Sequence, residues 1–204
     1  MDSRESYKAS LPPWAVFAVT ADKFREHRVA WQEIAKYFEA TYLPLHIQVK
    51  LCGSSVEKLL VPIQKVYFIV EKDPLKALKL LLYLNSDLAR SLIKLWAWVA
   101  RGGYYEHISY NTGMLPIPSA LVDNTLWSFI ENCLRQQEGA LDLNTIAVNV
   151  LNDARERLEK ELLESLMVTE EEYRRLVEYG KWLNELGAPP QAETEEEGEL
   201  LEEE

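Results

Sequence analysis

Cysteine is scarce. The 204-residue chain holds two, Cys52 and Cys133, far apart and with no second pair beside either. A disulfide framework or a thiolate metal site needs more, so two ordinary buried thiols are expected. His46 near Cys52 does not alter this, because two possible ligands on one strand are too few for a metal. Long apolar runs are missing too. The longest, around Leu78 to Leu84, is interrupted by Lys79 and falls far short of the roughly 20 residues of a membrane span. The first twenty residues carry Asp2, Arg4, Glu5 and Lys8 and no apolar signal core, so a cytoplasmic protein without membrane contact is expected. Catalytic signatures are also lacking: there is no G-x-S-x-G, no H-E-x-x-H and no phosphate loop. The glutamates from Glu156 to Glu172 suit a solvated helix face better than acid–base pairs. No internal repeat at solenoid periods is present. A self-contained enzyme therefore has no supporting motif, and no catalytic residue, metal or cofactor is expected.

What is present is a chain with 48% hydrophobic residues and a net charge of −11. That balance argues against nucleic acid until it is divided. Residues 1–118 hold 15 Lys+Arg and 11 Asp+Glu, residues 119–190 hold 7 and 14, and residues 191–204 hold no base and 8 Glu. The first part is thus mildly basic and the rest acidic. A protein that grips DNA alone usually has a stronger basic patch, so either its affinity is low or a partner adds phosphate contacts.

The pattern predicts an α+β protein: a small mixed β-sheet domain with a helical pair inserted, then an all-helical C-terminal extension. Residues 1–10 read as a loose N-terminus, 11–120 as the α+β domain, 121–190 as the helical extension and 191–204 as a disordered acidic tail. Strands are predicted at Trp14–Val19, Tyr37–Leu43, His46–Leu51 and Val66–Val70, the last long enough to be central. Residues 22–28, DKFREHR, read as a basic turn, and Gly53-Ser54-Ser55 as another turn. Pro74 opens a helix to Leu84. Asp87 can cap a second one, to about Ala100, which Arg101, Gly102 and Gly103 would end. Leu115-Pro116-Ile117-Pro118 is extended. Further helices are expected over Leu121–Arg135 and Asn144–Met167, the latter with Ile146, Val150, Leu158 and Leu162 along one side. Thr169 and Glu172 form a capping box for a last helix, which Gly187 and Pro189 stop.

Residues 74 to 118 resemble the C-terminal target-recognition domain of adenine-specific DNA methyltransferases of the TaqI-like and type IIG restriction-modification class. The resemblance rests on Leu82, Leu84, Asn85, Ser86, Arg101, Gly102, Gly103, Tyr104 and Leu115-Pro116-Ile117-Pro118 in this order. Segment 27–38, HRVAWQEIAKYF, adds to it. It covers about residues 11 to 120, with an echo in the acidic helix pair joined by Leu166 to Tyr173. The chain departs from the enzyme in two places. The catalytic N/D/S-P-P-Y/F/W motif has Leu11 in its first position before Pro12-Pro13-Trp14, and no strand–glycine loop–helix unit for S-adenosylmethionine is present. The resemblance therefore implies a non-catalytic specificity module that gives sequence choice to a separate catalytic methyltransferase or restriction subunit on double-stranded DNA.

Two groups of residues are candidates for DNA contact. The first is Arg101, Gly102, Gly103, Tyr104, Tyr105, His107, Tyr110 and Asn111. Tyrosines can stack or donate hydrogen bonds, Asn111 can read adenine bidentately, Arg101 can hold phosphate or guanine, and glycines admit a close backbone approach. Alternatively, the tyrosines pack in the core and the glycines only cap a helix. The second is Lys23, Arg25, His27 and Arg28, suited to a phosphate backbone or, offset by Asp22 and Glu26, to a solvated turn. Trp96 and Trp98, two apart on one helix, cannot share a face. A competing reading is a protein-interaction or regulatory module without DNA, using the acidic helical half. Residues 144–186 would then expose an apolar stripe including some of Val150, Leu158 and Leu162 to a partner or a second copy.

Overall fold

A computed structural model describes residues 26–44, 46–51, 53–60, 65–122, 127–135 and 142–186. The expected strand at Trp14–Val19, the loose N-terminus and the acidic tail lie outside the described residues. The protein is α+β, with eight α-helices and three small antiparallel sheets among the described residues.

The main sheet has the order β3-β1-β6, with β1 His27–Gln32, β3 Ala40–Leu43 and β6 Val66–Glu71. β1 is therefore the central strand and β6 flanks it, the reverse of what the apolar run at 66–70 suggested. Apolarity fails as a guide here because both faces of β1 are covered: Arg28, Val29, Ala30 and Trp31 are all buried. His27 and Arg28 accordingly belong to a strand and not to a basic turn, while Lys23 and Arg25 lie outside the described residues.

The outer edge of β3 is closed by two asparagine side chains. Asn85 accepts from Ala40 N at 3.0 Å and donates to Ala40 O at 2.8 Å. Asn144 does the same to Tyr42 N and O, both at 2.8 Å. Each amide imitates one residue of a neighbouring strand, so this short edge offers no free ladder to another chain. Asn85 sits where α1 (Pro74–Leu84) ends, and Asn144 lies near the start of α6 (Leu143–Asp153). The Asn-Ser step after α1 thus has a structural duty. Ser86, not Asp87, caps α2 (Asp87–Trp96), its hydroxyl accepting from Ala89 N at 3.1 Å and donating to Tyr83 O at 2.7 Å. Leu115-Pro116-Ile117-Pro118 is tied back by Tyr83, whose hydroxyl donates to Pro116 O at 2.5 Å.

Two long helices predicted from periodicity are each divided. The first is represented by α4 (Ser119–Val122) and α5 (Ser128–Arg135), with Trp127 outside the helix and residues 123–126 outside the described residues. The second breaks at Ala154 into α6 and α7 (Arg155–Leu166), since Ala154 leaves the helical region with φ −133° and ψ 19°. Hydrophobic spacing is unchanged across such a break, which is why periodicity missed it. Val150, Leu158 and Leu162 are fully buried, so the apolar side of these helices is core and not an exposed docking stripe. One cluster joins them to Val29, Trp31, Leu78, Leu82 and Ile93. The helices after residue 120 therefore share a core with the strands before it. The last helix, α8 (Glu170–Leu186), starts at the predicted capping box: Thr169 N donates to Glu172 Oε2 at 2.9 Å, and Glu172 N to Thr169 Oγ1 at 3.3 Å. It packs on α2 through Gly180, where an added Cβ would stand 2.8 Å from Ser91 Oγ.

Candidate nucleic-acid interface

The expected helix end at Arg101–Gly103 is instead the tip of a β-hairpin. α2 stops at Trp96 because Ala97 turns to extended backbone, φ −68° and ψ 139°. Trp98–Val99 then form β7, and Tyr105–Glu106 form β8. The register pairs Trp98 with Glu106 and Val99 with Tyr105, and Ala100 N donates to Tyr104 O at 2.8 Å. Gly102 and Gly103 close the hairpin at φ 70° and 74°, a region where a side chain would be strained. The glycines are therefore required, but by a hairpin tip. Trp96 and Trp98 are also separated, one on the helix and one on the strand.

The reverse side of the hairpin is fixed to the protein. β8 pairs with β2 (Ile34–Ala35) through Ile34–Glu106 and Ala35–Tyr105. The Tyr105 hydroxyl donates to Leu183 O on α8 at 2.8 Å, and Lys94 Nζ lies 3.1 Å above the Tyr105 ring centre. The same ammonium donates to Lys36 O at 3.1 Å. Burial, with Lys36 nearby, lowers the Lys94 pKa to about 8. His107 N donates to Glu33 O at 2.6 Å, and His107 O accepts from Trp31 Nε1 at 2.8 Å. The His107 ring is buried against the edge of Phe38, 5.4 Å between centres. Burial first and Lys94 second push its pKa down to about 4. The Ala35 backbone opposes them from outside hydrogen-bonding geometry, for neither ring nitrogen has a partner that meets it.

The sequence candidates separate into two sets. Tyr104, next to Gly102, and Tyr110, on the short helix α3 (Ser109–Gly113), are exposed, at 47% and 69%. Register adds Trp98, also exposed: in an antiparallel pair Trp98, Glu106 and Tyr104 share one side, opposite Tyr105. The sequence hid Trp98 because it was placed on a helix. Tyr105, His107, Asn111 and Arg28 form the other set, and all are buried. Asn111 cannot meet a base edge: it is 1% exposed and its Nδ2 points at Glu106 O, 3.4 Å away. Arg28 does not face a phosphate, for its guanidinium donates to Leu60 O at 2.6 Å and Pro44 O at 2.8 Å. His27 Nδ1 lies 2.9 Å from the Tyr42 hydroxyl on the adjacent strand. The Arg101 side chain lies outside the described residues.

Among the described residues no cluster of His, Cys, Asp or Glu could hold a metal, and no helix is long and apolar enough to cross a membrane. What the hairpin can do is present flat aromatic surface and accessible backbone from a stiff base. The fold and this site define the class, an α+β protein with an anchored aromatic hairpin. Comparison with protein-family models, curated proteins and solved structures gave no match for the chain.

Proposed function

We propose that the protein is a DNA target-recognition module or subunit of an adenine-specific methyltransferase or restriction-modification system, conferring sequence choice on a separate catalytic subunit. The observation behind this reading is the β7–β8 hairpin. The segment that resembles the family's Gly-Gly-aromatic turn has exposed Tyr104 and Trp98 on one side of the hairpin, exposed Tyr110 on the short helix after it, and is pinned by Tyr105 and His107. It belongs to the net-positive first 118 residues. Its buried Asn111 and His107 serve as scaffold and the exposed aromatics as contact. Aromatic rings of this kind stack on bases or pack against sugar and groove edges, at about 1–3 kcal/mol per stacked base. The module does not methylate: it takes its catalysis from the partner.

The test is a duplex-binding titration by fluorescence anisotropy at low salt. Tyr104→Ala combined with Tyr110→Ala is expected to weaken binding at least tenfold with the fold unchanged by circular dichroism. Equal affinity in variant and wild type would remove the hairpin from the interface.

A second reading, an interaction module using the acidic half, has its own support. Tyr179, Trp182 and Leu186 on α8 are exposed at helical spacing, and the first two rings pair at 5.3 Å.

A further inference from the structure

The sheet formed by β4 (His46–Leu51) and β5 (Ser54–Leu59) stands apart from the other elements. Its two strands pair along their whole length, from His46–Leu59 to Leu51–Ser54, and join no other described strand. An isolated two-stranded ribbon is marginal in water, so something must set its direction. Arg28 does: one guanidinium donates to Pro44 O, just before the ribbon, and to Leu60 O, just after it. A buried cation thus clamps both feet of a projecting arm.

The side chains of the arm match one kind of surface. Residues 46–59 contain Lys50, Lys58 and His46 against a single carboxylate, Glu57. Glu57 lies 3.8 Å from His46 Nδ1, and the two lysines outnumber this one carboxylate, so the arm has a small positive excess. Register puts Gln48 beside Glu57 and Lys50 beside Ser55 on one face. Lys58 lies beside Ile47 on the other, and Gly53, at φ 85°, turns the tip before Ser54 and Ser55. Gln48, Ser54, Ser55, Lys50 and Lys58 are all exposed. A six-residue strand pair is about 20 Å long, and a two-stranded ribbon fits the roughly 12 Å width of the DNA major groove. Gln48, whose Oε1 accepts from Ser55 Oγ at 3.0 Å and whose amide nitrogen can donate, can meet base edges there while Lys meets phosphate.

We propose that the β4–β5 ribbon is a second DNA-contacting arm, which enters the major groove with Lys50 and Lys58 on flanking phosphates and Gln48 towards base edges. Arg28 is its positioning residue. The proposal rests on the recognition-module reading and extends it to a surface that reading does not use.

The test compares the wild-type chain with the Lys50→Ala/Lys58→Ala variant on two duplexes of about 30 base pairs. One is unmodified, and the other carries glucosylated 5-hydroxymethylcytosine, whose sugar fills the major groove. The wild type is expected to bind the glucosylated duplex at least fivefold more weakly. The variant is expected to lose that sensitivity, and its log–log salt slope should fall by about 2, close to 1 per phosphate contact. Should the variant keep the wild-type slope, or the wild type ignore the glucose, the arm is not in the groove, although the recognition-module reading survives. A wild type that binds neither duplex at low salt overturns both.

Discussion

Glu159 is the residue where charge and fold are most tightly joined. It lies on α7, is 5% exposed, and its carboxylate accepts from Asp87 N at 2.6 Å, so it caps α2 from another helix. Burial above all, with the neighbouring Asp87 carboxylate, raises its pKa to about 7 despite the two backbone donors and Arg155. Arg155 itself holds Asp87 at 2.8 Å. An acid whose folded pKa is raised stabilises most when protonated. Its contribution is full below the unfolded value near 4.5 and is lost as pH rises through about 7, on the order of 3 kcal/mol across that window. His107 acts in the opposite sense. Its pKa of about 4 is below the ordinary 6.5, so its contribution is present above 6.5 and is lost as pH falls through 4. Glu159→Gln keeps an acceptor for the helix cap and removes the charge. Melting temperatures taken from pH 4.5 to 7.5 should fall with pH less steeply in Glu159→Gln than in the wild type. Parallel curves would mean that Glu159 is protonated or solvated alike in both states. Neither role was legible in the sequence, where Glu159 is one glutamate among many and His107 stood out only as a candidate DNA contact beside tyrosines. Their chemistry is created by burial, which depends on distant elements.

At the scale of elements, local signals were read well and boundaries set by tertiary contact were not. The Thr169–Glu172 capping box, the Pro74 helix start and the bounds of the strand at His46–Leu51 all appear as their residues dictate, although that strand is exposed on both faces and not half-buried as its alternation suggested. The hairpin at Trp98–Glu106 did not show itself, because α2 runs into it with the same apolar character and glycines end helices as readily as they turn strands. Likewise Arg28 looked like part of a basic surface turn, though it clamps Pro44 and Leu60 from within. Packing of α8 depends on a feature equally silent in sequence, the missing side chain of Gly180 against Ser91. A Cβ at Gly180 would also approach the Ser91 Cα to 3.2 Å. Helix propensity alone predicts that Gly180→Ala stabilises by up to about 1 kcal/mol. The close approach reverses the sign, to a loss of roughly 1–3 kcal/mol. Chemical denaturation should show this loss, and a gain in stability would mean that α8 lies further from α2.

For the whole molecule, the charge partition and the shared core have different consequences. The core joins the strands near the N-terminal side to helices α6 and α7, so the acidic half supports the basic half physically even though their surfaces differ. The sequence of the first 118 residues has only a slight positive excess, and Arg28, Lys79 and Lys94 among its cations are buried. DNA affinity from such a field is expected to be modest and steeply salt-dependent, with shape and aromatic contact adding to it. The α+β class was legible in the spacing of apolar residues, as was the charge asymmetry. The identity of the exposed groups was not, since exposure belongs to the assembled chain. The most direct measurement of the central claim is duplex binding by the full chain over a salt series starting at low ionic strength. Binding that weakens log-linearly with salt, with a slope of about two to five phosphate contacts, is the expected result. No binding at the lowest salt, alone or with an adenine methyltransferase catalytic subunit added, would contradict it.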